Sequence, residues 1–445
     1  MQEEIINQLI SLENIINKFD GVIRDEAEDL RRDYDIISAD RMKTQLNDIE
    51  KGNRSLNIGI IGRVKAGKSS LLNSIFFGGK SVLPKAATPM TASLTAITHG
   101  DTFSATVEYY SQDDIKTIER DHKAYKAEWD RIYEENRKTA EERAKKRNEA
   151  PDMDKVKRLT DTAMKDNSKY ASYDHYEQIK KSGAKPPTET TQNIDANSLS
   201  ELIGKLNEFV GSGGRMMPYT MSAEIRFPND ALRDIFVVDT PGINDPVISR
   251  EARTEEYLRK CDVVFIVSSA GQFVSREDMD FMDRLSVKEG VRELYLVASQ
   301  ADNQLYGSIM DEAKQNLNEA WRLIHSYLSS HALSKLSDLK KNNPEIAGQF
   351  DQLIEGGQDR VIITSAICHA MSLQFDDRNS WDEEMNHVWH GLRENYSDYF
   401  DSDASAKASL ELLSGIKETS EKIEFSRKKK DKIIAQKKAD YLKSQ

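Results

Sequence analysis

Residues 62–69, Gly62-Arg63-Val64-Lys65-Ala66-Gly67-Lys68-Ser69, carry the most specific chemistry in the chain, with the spacing G-x-x-x-x-G-K-[ST]. A phosphate chain packs several negative charges into a small volume. Successive backbone N–H groups and a helix N-terminus can ring it if side chains stay clear, and the glycines keep them clear. Lys68 is placed to reach the β- and γ-phosphates of a nucleoside triphosphate, and the Ser69 hydroxyl to ligate Mg2+. The alternation of Leu56, Ile58 and Ile60 before the loop predicts a strand. Leu71, Leu72, Ile75 and Phe76 after it predict a helix. The motif requires this strand–loop–helix context.

Four further pieces follow in order. Asp239-Thr240-Pro241-Gly242 ends the apolar run Ile235-Phe236-Val237-Val238. A carboxylate at a strand's C-terminal edge can hold Mg2+ through water, and the Gly242 N–H can sense a γ-phosphate. Thr91, between the P-loop helix and the next strand, is the candidate second hydroxyl on the metal, with Thr88 as its rival. Ser299-Gln300-Ala301-Asp302 follows another apolar strand. GTPases usually carry Asn or Thr, Lys, any residue and Asp there, the aspartate accepting from guanine N1 and N2. Asp302 is kept, while Ser299 and Gln300 depart from the pattern, so guanine preference is expected in weakened form. Thr364-Ser365-Ala366, after Val361-Ile362-Ile363, is placed to meet the guanine O6 with its backbone.

These residues need a scaffold. Strands are expected at 93–98, 104–109, 222–227, 235–239, 263–268, 293–298 and 360–364, alternating in part with helices. That rhythm indicates an α/β fold with a mainly parallel sheet covered by helices on both faces. Residues 1 to about 50 read as helix, with Ile5, Leu9, Leu12, Ile16, Phe19 and Ile23 on one stripe. Between about 112 and 210 the chain changes character. Asp113–Ala150 is crowded with charge and predicts a solvated helical protrusion. The stretch Asp166–Asn197 predicts polar loop, and Gly211–Gly214 a flexible joint. From about Asp403 the tail is helical, with Leu412, Ile416 and Ile423 along one side and a basic run over Arg427–Lys438.

The chain has 445 residues and a net charge of −12, which argues against a nucleic-acid partner. Its two cysteines, Cys261 and Cys368, form no ligand cluster and read as small buried residues. The N-terminus lacks a secretory pattern and no apolar run approaches a membrane span, so a cytoplasmic protein is expected.

The five pieces in this order resemble the dynamin-like large GTPases, particularly bacterial members. Lys65-Ala66-Gly67-Lys68-Ser69-Ser70 is similar to their P-loop. Leu83-Pro84, Pro89-Met90-Thr91-Ala92 and Thr95-Ala96-Ile97 are similar to their first switch. Residues 261–268 and then Ser275-Arg276-Glu277 resemble their central strand and following helix. The likeness spans about residues 54–110 and 220–370. It implies a P-loop GTPase head at 54–400 with a charged helical insertion at about 112–210. It also implies N- and C-terminal helical segments, 1–53 and 401–445, pairing as a small bundle. GTP and Mg2+ are the implied ligands, bound by Gly62, Lys65, Ala66, Gly67, Lys68, Ser69, Ser70, Asp239, Gly242, Gln300, Asp302, Ser365 and Ala366. Ser69, Thr91 and Asp239 would hold the metal. Heads of this family dimerise across the active site.

Ile243 stands where a small GTPase would carry glutamine. Water must then be positioned otherwise, and Lys65 is the candidate cis cation over the β–γ bridge. Family members also carry a long stalk and a membrane tip, but only about 80 residues follow Ser365-Ala366. A partner chain supplying the stalk, a truncated chain, and a protein that does not remodel membranes alone all stay open. The basic run 427–438 is either a contact for anionic lipid at the membrane periphery or a solvated helix face. Beside a GTP-hydrolysing assembly enzyme stand a slow-turnover nucleotide-binding adaptor acting through its insertion, and an ATPase.

Overall fold

The computed structural model describes residues 2–19, 37–50, 55–63, 65–80, 82–83, 94–148, 150–164, 167–211, 213–239, 258, 260–276, 278–279, 282, 293–342 and 350–444. The elements that position the site are, in chain order, α1 (Gln2–Lys18), α2 (Ala39–Glu50), β1 (Leu56–Gly62), α3 (Lys68–Phe76), β2 (Leu94–His99) and β3 (Phe103–Tyr109). Then come α4 (Gln112–Arg147), α5 (Met153–Ala163), α6 (Tyr170–Ser182), β4 (Thr191–Ala196), α7 (Leu199–Val210), β5 (Thr220–Phe227) and β6 (Ile235–Asp239). The rest are β7 (Val263–Ser269), β8 (Glu293–Ser299), α8 (Leu317–Asn342), β9 (Val361–Ile363), α9 (Ala366–Leu373), α10 (Glu383–Asn395), α11 (Asp403–Ser414), α12 (Ile416–Lys428) and α13 (Lys430–Ser444).

One sheet runs in the order β4-β3-β5-β2-β6-β1-β7-β8-β9. The pairs β6–β1, β1–β7, β7–β8, β8–β9 and β5–β2 are parallel. The pairs β2–β6, β3–β5 and β3–β4 are antiparallel. The expected mainly parallel α/β sheet is therefore the observed one. The central strands are buried on both faces, which is why β7 reads Val-Val-Phe-Ile-Val with no polar alternation. Its pleat sends Val264 and Ile266 into one core with Leu317, Leu336, Met371, Leu410 and Leu413. Val263, Phe265 and Val267 enter the other, with Leu71, Leu202, Leu206 and Ile423. Each such side chain contributes about 1.5–3 kcal/mol on burial.

The insertion differs from its expected form. Its first helix, α4, is long and starts on a capping box formed by Ser111 and Asp114. Residues 166–197, expected as loop, instead build α6 and β4. Tyr170, Tyr173 and Tyr176 lie three apart on α6. Tyr173 stacks on His122 at 5.1 Å and packs against Tyr125 at 4.7 Å, both residues of α4. Hydrophobic bodies with polar tips hid this packing face. β4 is an edge strand that buries only Ile194, so it carries little apolar signal. Gly211 and Gly214 form a tight turn rather than a joint. A Cβ on either would lie 2.5 Å or less from the Asn207 or Glu208 carbonyl oxygen.

The terminal helices do meet, through Ile5 and Leu9 of the expected stripe but with a different part of the tail. α1 packs with Ile5, Ile6, Leu9 and Ile10 against Ala39, Met42 and Leu46 of α2 and Leu442 of α13. Leu12 and Phe19 of the expected stripe are exposed, and Ile23 lies outside the described residues. Leu412 is exposed too, while Ile416 and Ile423 belong to the core against the sheet. In the tail it is α13, through Leu442, that packs on the bundle.

The basic run at 427–438 is largely engaged within the chain. Arg427 pairs with Glu424 at 2.7 Å and Lys430 with Asp234 at 3.7 Å. Buried Lys437 pairs with buried Asp262 at 3.2 Å. The Lys430 and Lys437 pairs fasten α13 along the N-terminal edge of the sheet, opposite the phosphate loop. Among the described residues no helix is long and apolar enough to cross a membrane.

Candidate functional site

Because β1, β6, β7, β8 and β9 run parallel, their C-terminal ends share one edge, where open α/β sheets bind ligands. Register aligns Ile60 with Asp239, Gly62 with Val267, and Ser269 with Ser299. The phosphate loop, Asp239, Gln300, Asp302, Ser365 and Ala366 are thereby brought to a single rim. Thr91, its rival Thr88, and Thr240, Pro241 and Gly242 lie outside the described residues.

The loop's glycines have separate reasons. Gly62 has φ +151°, and a Cβ there would sit 2.1 Å from the Val267 carbonyl oxygen on β7. Neighbouring backbone, and not only ligand clearance, demands glycine at that position. Gly67 has φ +84°, and a Cβ on it would lie 3.3 Å from Ser299. Lys65 is exposed, with φ +63°, at the crest of the turn. α3 starts at Lys68, with Ser69 and Ser70 in its first turn.

Lys68 is buried and folds back on its own loop. Its Nζ donates to the carbonyls of Gly62 at 2.7 Å and Arg63 at 2.9 Å. Burial lowers its pKa, and the charge of Asp239 opposes that shift. The Ser69 hydroxyl donates to Asp239 Oδ2 at 3.1 Å. Burial pushes the Asp239 carboxyl up to about 6, against the pull of Lys68 and the Ser69 hydrogen bond. Its other oxygen, Oδ1, is buried without a hydrogen-bond partner among the described residues. A hydroxyl and a carboxylate converging on an unsatisfied buried oxygen are hard donors of the kind Mg2+ selects. The residues present fit that ion.

The rim around Asp302 is built differently. Asp302 is buried, which raises its pKa, and a hydrogen bond with the Ser365 side chain opposes that rise. Ser365 also caps α9 by accepting from the Cys368 N–H at 3.2 Å. Its backbone N–H donates to the Ser414 carbonyl at 3.0 Å. The Ser365 amide is thus committed within the chain. Gln300 is exposed with φ +55° and precedes the turn Ala301–Gln304 that carries Asp302.

Some contributors were not read from the sequence. Ser299 Oγ donates to the Ala66 carbonyl at 2.6 Å, fastening the phosphate loop to the end of β8. Asn73 accepts from the N–H groups of Val82 and Leu83 at 3.2 and 2.9 Å and donates to the Leu83 carbonyl at 2.9 Å. It fixes where the chain leaves α3 toward Thr91. Arg63 pairs with buried Asp278 at 3.0 Å. Of these, the sequence carries a trace of the cap that holds Asp278, the S-x-x-D pattern from Ser275, but not of its contact with Arg63.

The sequence model of the Dynamin family matches residues 58–300. The dynamin-like protein 1 of Campylobacter jejuni subsp. jejuni serotype O:23/36 (strain 81-176) is 26% identical over 294 residues. That alignment takes in 65% of this chain and 32% of the relative, so the chain spans about a third of that protein's length. Two solved chains of an oligomerised bacterial dynamin pair, described as sensing and tethering membranes over long range, are each 18% identical. Their TM-scores are 0.42 and 0.40, with 93% and 99% of this chain and 55% and 59% of those chains covered.

Proposed function

This chain belongs to the dynamin family, whose members are GTPases, and on that premise we propose that it binds GTP with Mg2+ and hydrolyses it. The observation that carries the reading is the cluster of Lys68, Ser69 and Asp239 at the ends of β1 and β6, with Asp239 Oδ1 unsatisfied. A bound Mg2+ would supply positive charge to offset that of the phosphates. Ser69 and Asp239 would hold it, with Thr91 as the third candidate. Lys68 would exchange two carbonyl partners for phosphate oxygens, a stronger, charge-assisted pairing. Gly62, Ala66, Gly67 and Ser70 would line the phosphates with backbone, and Gly242 would sense the γ-phosphate. Asp302, Gln300, Ser365 and Ala366 would receive the guanine.

Hydrolysis is assigned to the dimer of heads, with Lys65 supplying a cation over the β–γ bridge. Its exposed place on the turn supports that role, because a side chain held in the core could not swing over a ligand. Action at membranes, with a partner chain bearing a stalk on the bundle of α1, α2 and α13, completes the proposal. So does its division into a head at 54–400 flanked by segments 1–53 and 401–445.

The ordered insertion favours one second reading, a slow-turnover switch that signals through α4, α5 and α6. Turnover per molecule against protein concentration separates the two. An enzyme activated by head pairing speeds up as concentration rises, and Lys65→Ala abolishes the rise. A rate per molecule that is flat and slow supports the switch, and a Lys65→Ala protein with the wild-type rate removes Lys65 from the mechanism.

A further inference from the structure

We propose that Arg63 and Asp278 act as a positioning couple that sets nucleotide affinity from outside the nucleotide site. The inference rests on the nucleotide-binding reading above. Arg63 occupies the first variable position of the phosphate loop, where cradling by backbone demands no particular side chain. Its guanidinium leaves the loop and lies against the segment that follows β7. Nε is 3.0 Å from Asp278 Oδ1, and Nη1 is 3.2 Å from Gln272 Oε1.

Asp278 is a fixed anchor. It is 1% exposed. Its Oδ2 accepts from Ser268 Oγ at 2.8 Å, Ser275 N–H at 2.9 Å and Ser275 Oγ at 3.0 Å. The Asp278 N–H returns to Ser275 Oγ at 3.3 Å, which closes a capping box. One oxygen therefore holds the start of the helix after β7, and the other holds Arg63. A carboxylate so constrained cannot follow a moving loop, so the loop must conform to it.

The opposite end of Arg63 reaches the ammonium that would meet phosphate. Its carbonyl accepts from Lys68 Nζ at 2.9 Å, beside the Gly62 carbonyl at 2.7 Å. Side chain and carbonyl of one residue thus link a buried anchor to Lys68. Without the side-chain link the carbonyl is free to shift, and Lys68 and the loop amides lose their preset placement. Preset donors avoid an ordering cost on binding. Asp278 also keeps its three hydroxyl and amide donors when Arg63 is replaced, so that replacement leaves it satisfied at Oδ2.

The test is equilibrium binding of a fluorescent GDP analogue to the full chain. Variants are Arg63→Gln, Arg63→Lys, Asp278→Asn, the double variant Arg63→Gln/Asp278→Asn, and Ser275→Ala. Arg63→Gln is expected to weaken binding by about 10–150-fold, the range for losing a hydrogen bond to a charged group. Arg63→Lys should restore part of that loss, since an ammonium can pair with Asp278 but lacks the fork to Gln272. The double variant should bind no more weakly than the weaker single. Ser275→Ala should lower the melting temperature and leave affinity within about twofold, because it loosens the cap and keeps the ion pair.

Wild-type affinity in Arg63→Gln, or a double variant whose loss is the product of the two singles, overturns the couple. Should Asp278→Asn fail to fold, the Arg63→Gln and Arg63→Lys pair decides: equal losses in both, or none in either, refute it. Wild-type protein that binds no guanine nucleotide at all refutes the underlying reading instead.

Discussion

The two ends of the site solve opposite problems. At the phosphate end, buried charges lack their proper partners. Lys68 is held by two carbonyls, and Asp239 keeps a buried oxygen with no partner and a carboxyl pushed up to about 6. At the proposed base end the two serines are already engaged. Ser365 caps a helix, meets Asp302 and donates to Ser414, and Ser299 holds Ala66. In the proposed site the first end would be relieved by a cation and anions, whereas the second is already hydrogen-bonded. The difference teaches where binding energy should come from. Phosphate and metal would relieve a cost already present in the fold, and the base would be selected by a frame already in place.

The largest expected effect is at the phosphate end. Lys68→Ala should weaken triphosphate binding by ~30-fold or more, as truncating one member of a buried charge pair costs about 2–5 kcal/mol. Titration with a fluorescent triphosphate measures it, and a loss under threefold would erase the contrast between the ends.

Asp239→Asn probes the same end through stability. The folded carboxyl titrates near 6 against a reference of 3.8. Below pH about 4 it is protonated in both states. As pH rises from about 4 to 6 the unfolded chain ionises first, so the nucleotide-free protein loses up to about 3 kcal/mol of stability over that window. Asn removes that loss. Denaturant unfolding without Mg2+ should show the variant more stable at pH 7.5 and equal to wild type near pH 4. A variant less stable at pH 7.5 would show that Asp239 is not a strained group.

At the base end, Asp302→Ala should cut guanine over adenine preference by about 10–100-fold, measured as the ratio of GTP to ATP affinities. An unchanged ratio would mean the pocket selects by other groups. The smallest effect belongs to Ser299→Ala. It strips the Ala66 carbonyl of a buried donor and should cost about 1–3 kcal/mol of stability, with a lesser loss of affinity. Equal losses of affinity for Ser299→Ala and Lys68→Ala would contradict a preset base end.

The parallel core and the rim were legible because they depend on local signals. β1, its loop and α3 announce themselves by apolar alternation and a spaced motif, and Asp239 by its place at the end of an apolar run. Distance along the chain hid the rest. Arg63 and Asp278 are 215 residues apart, and nothing near Arg63 signals an anchor. Ser299 looked like a defect in a guanine motif, yet its short hydroxyl reaches the loop carbonyl directly. In the insertion, α6 packs through tyrosines and β4 buries one isoleucine, so both read as polar loop. The tail misled in another way. Leu412 and Ile423 fall on different surfaces because Gly415, with φ +63°, breaks the helix between them at the Ile363 carbonyl.

The central claim is that Lys68, Ser69 and Asp239 form a magnesium–triphosphate site. Calorimetric titration of GTP into wild type and Asp239→Asn, each with Mg2+ and with a chelator, tests it most directly. The account predicts tight binding by wild type only with Mg2+, weakening as pH falls through about 6, and no effect of Mg2+ on the variant. Wild-type binding that is indifferent to Mg2+, or a variant that keeps the full metal effect, would contradict it.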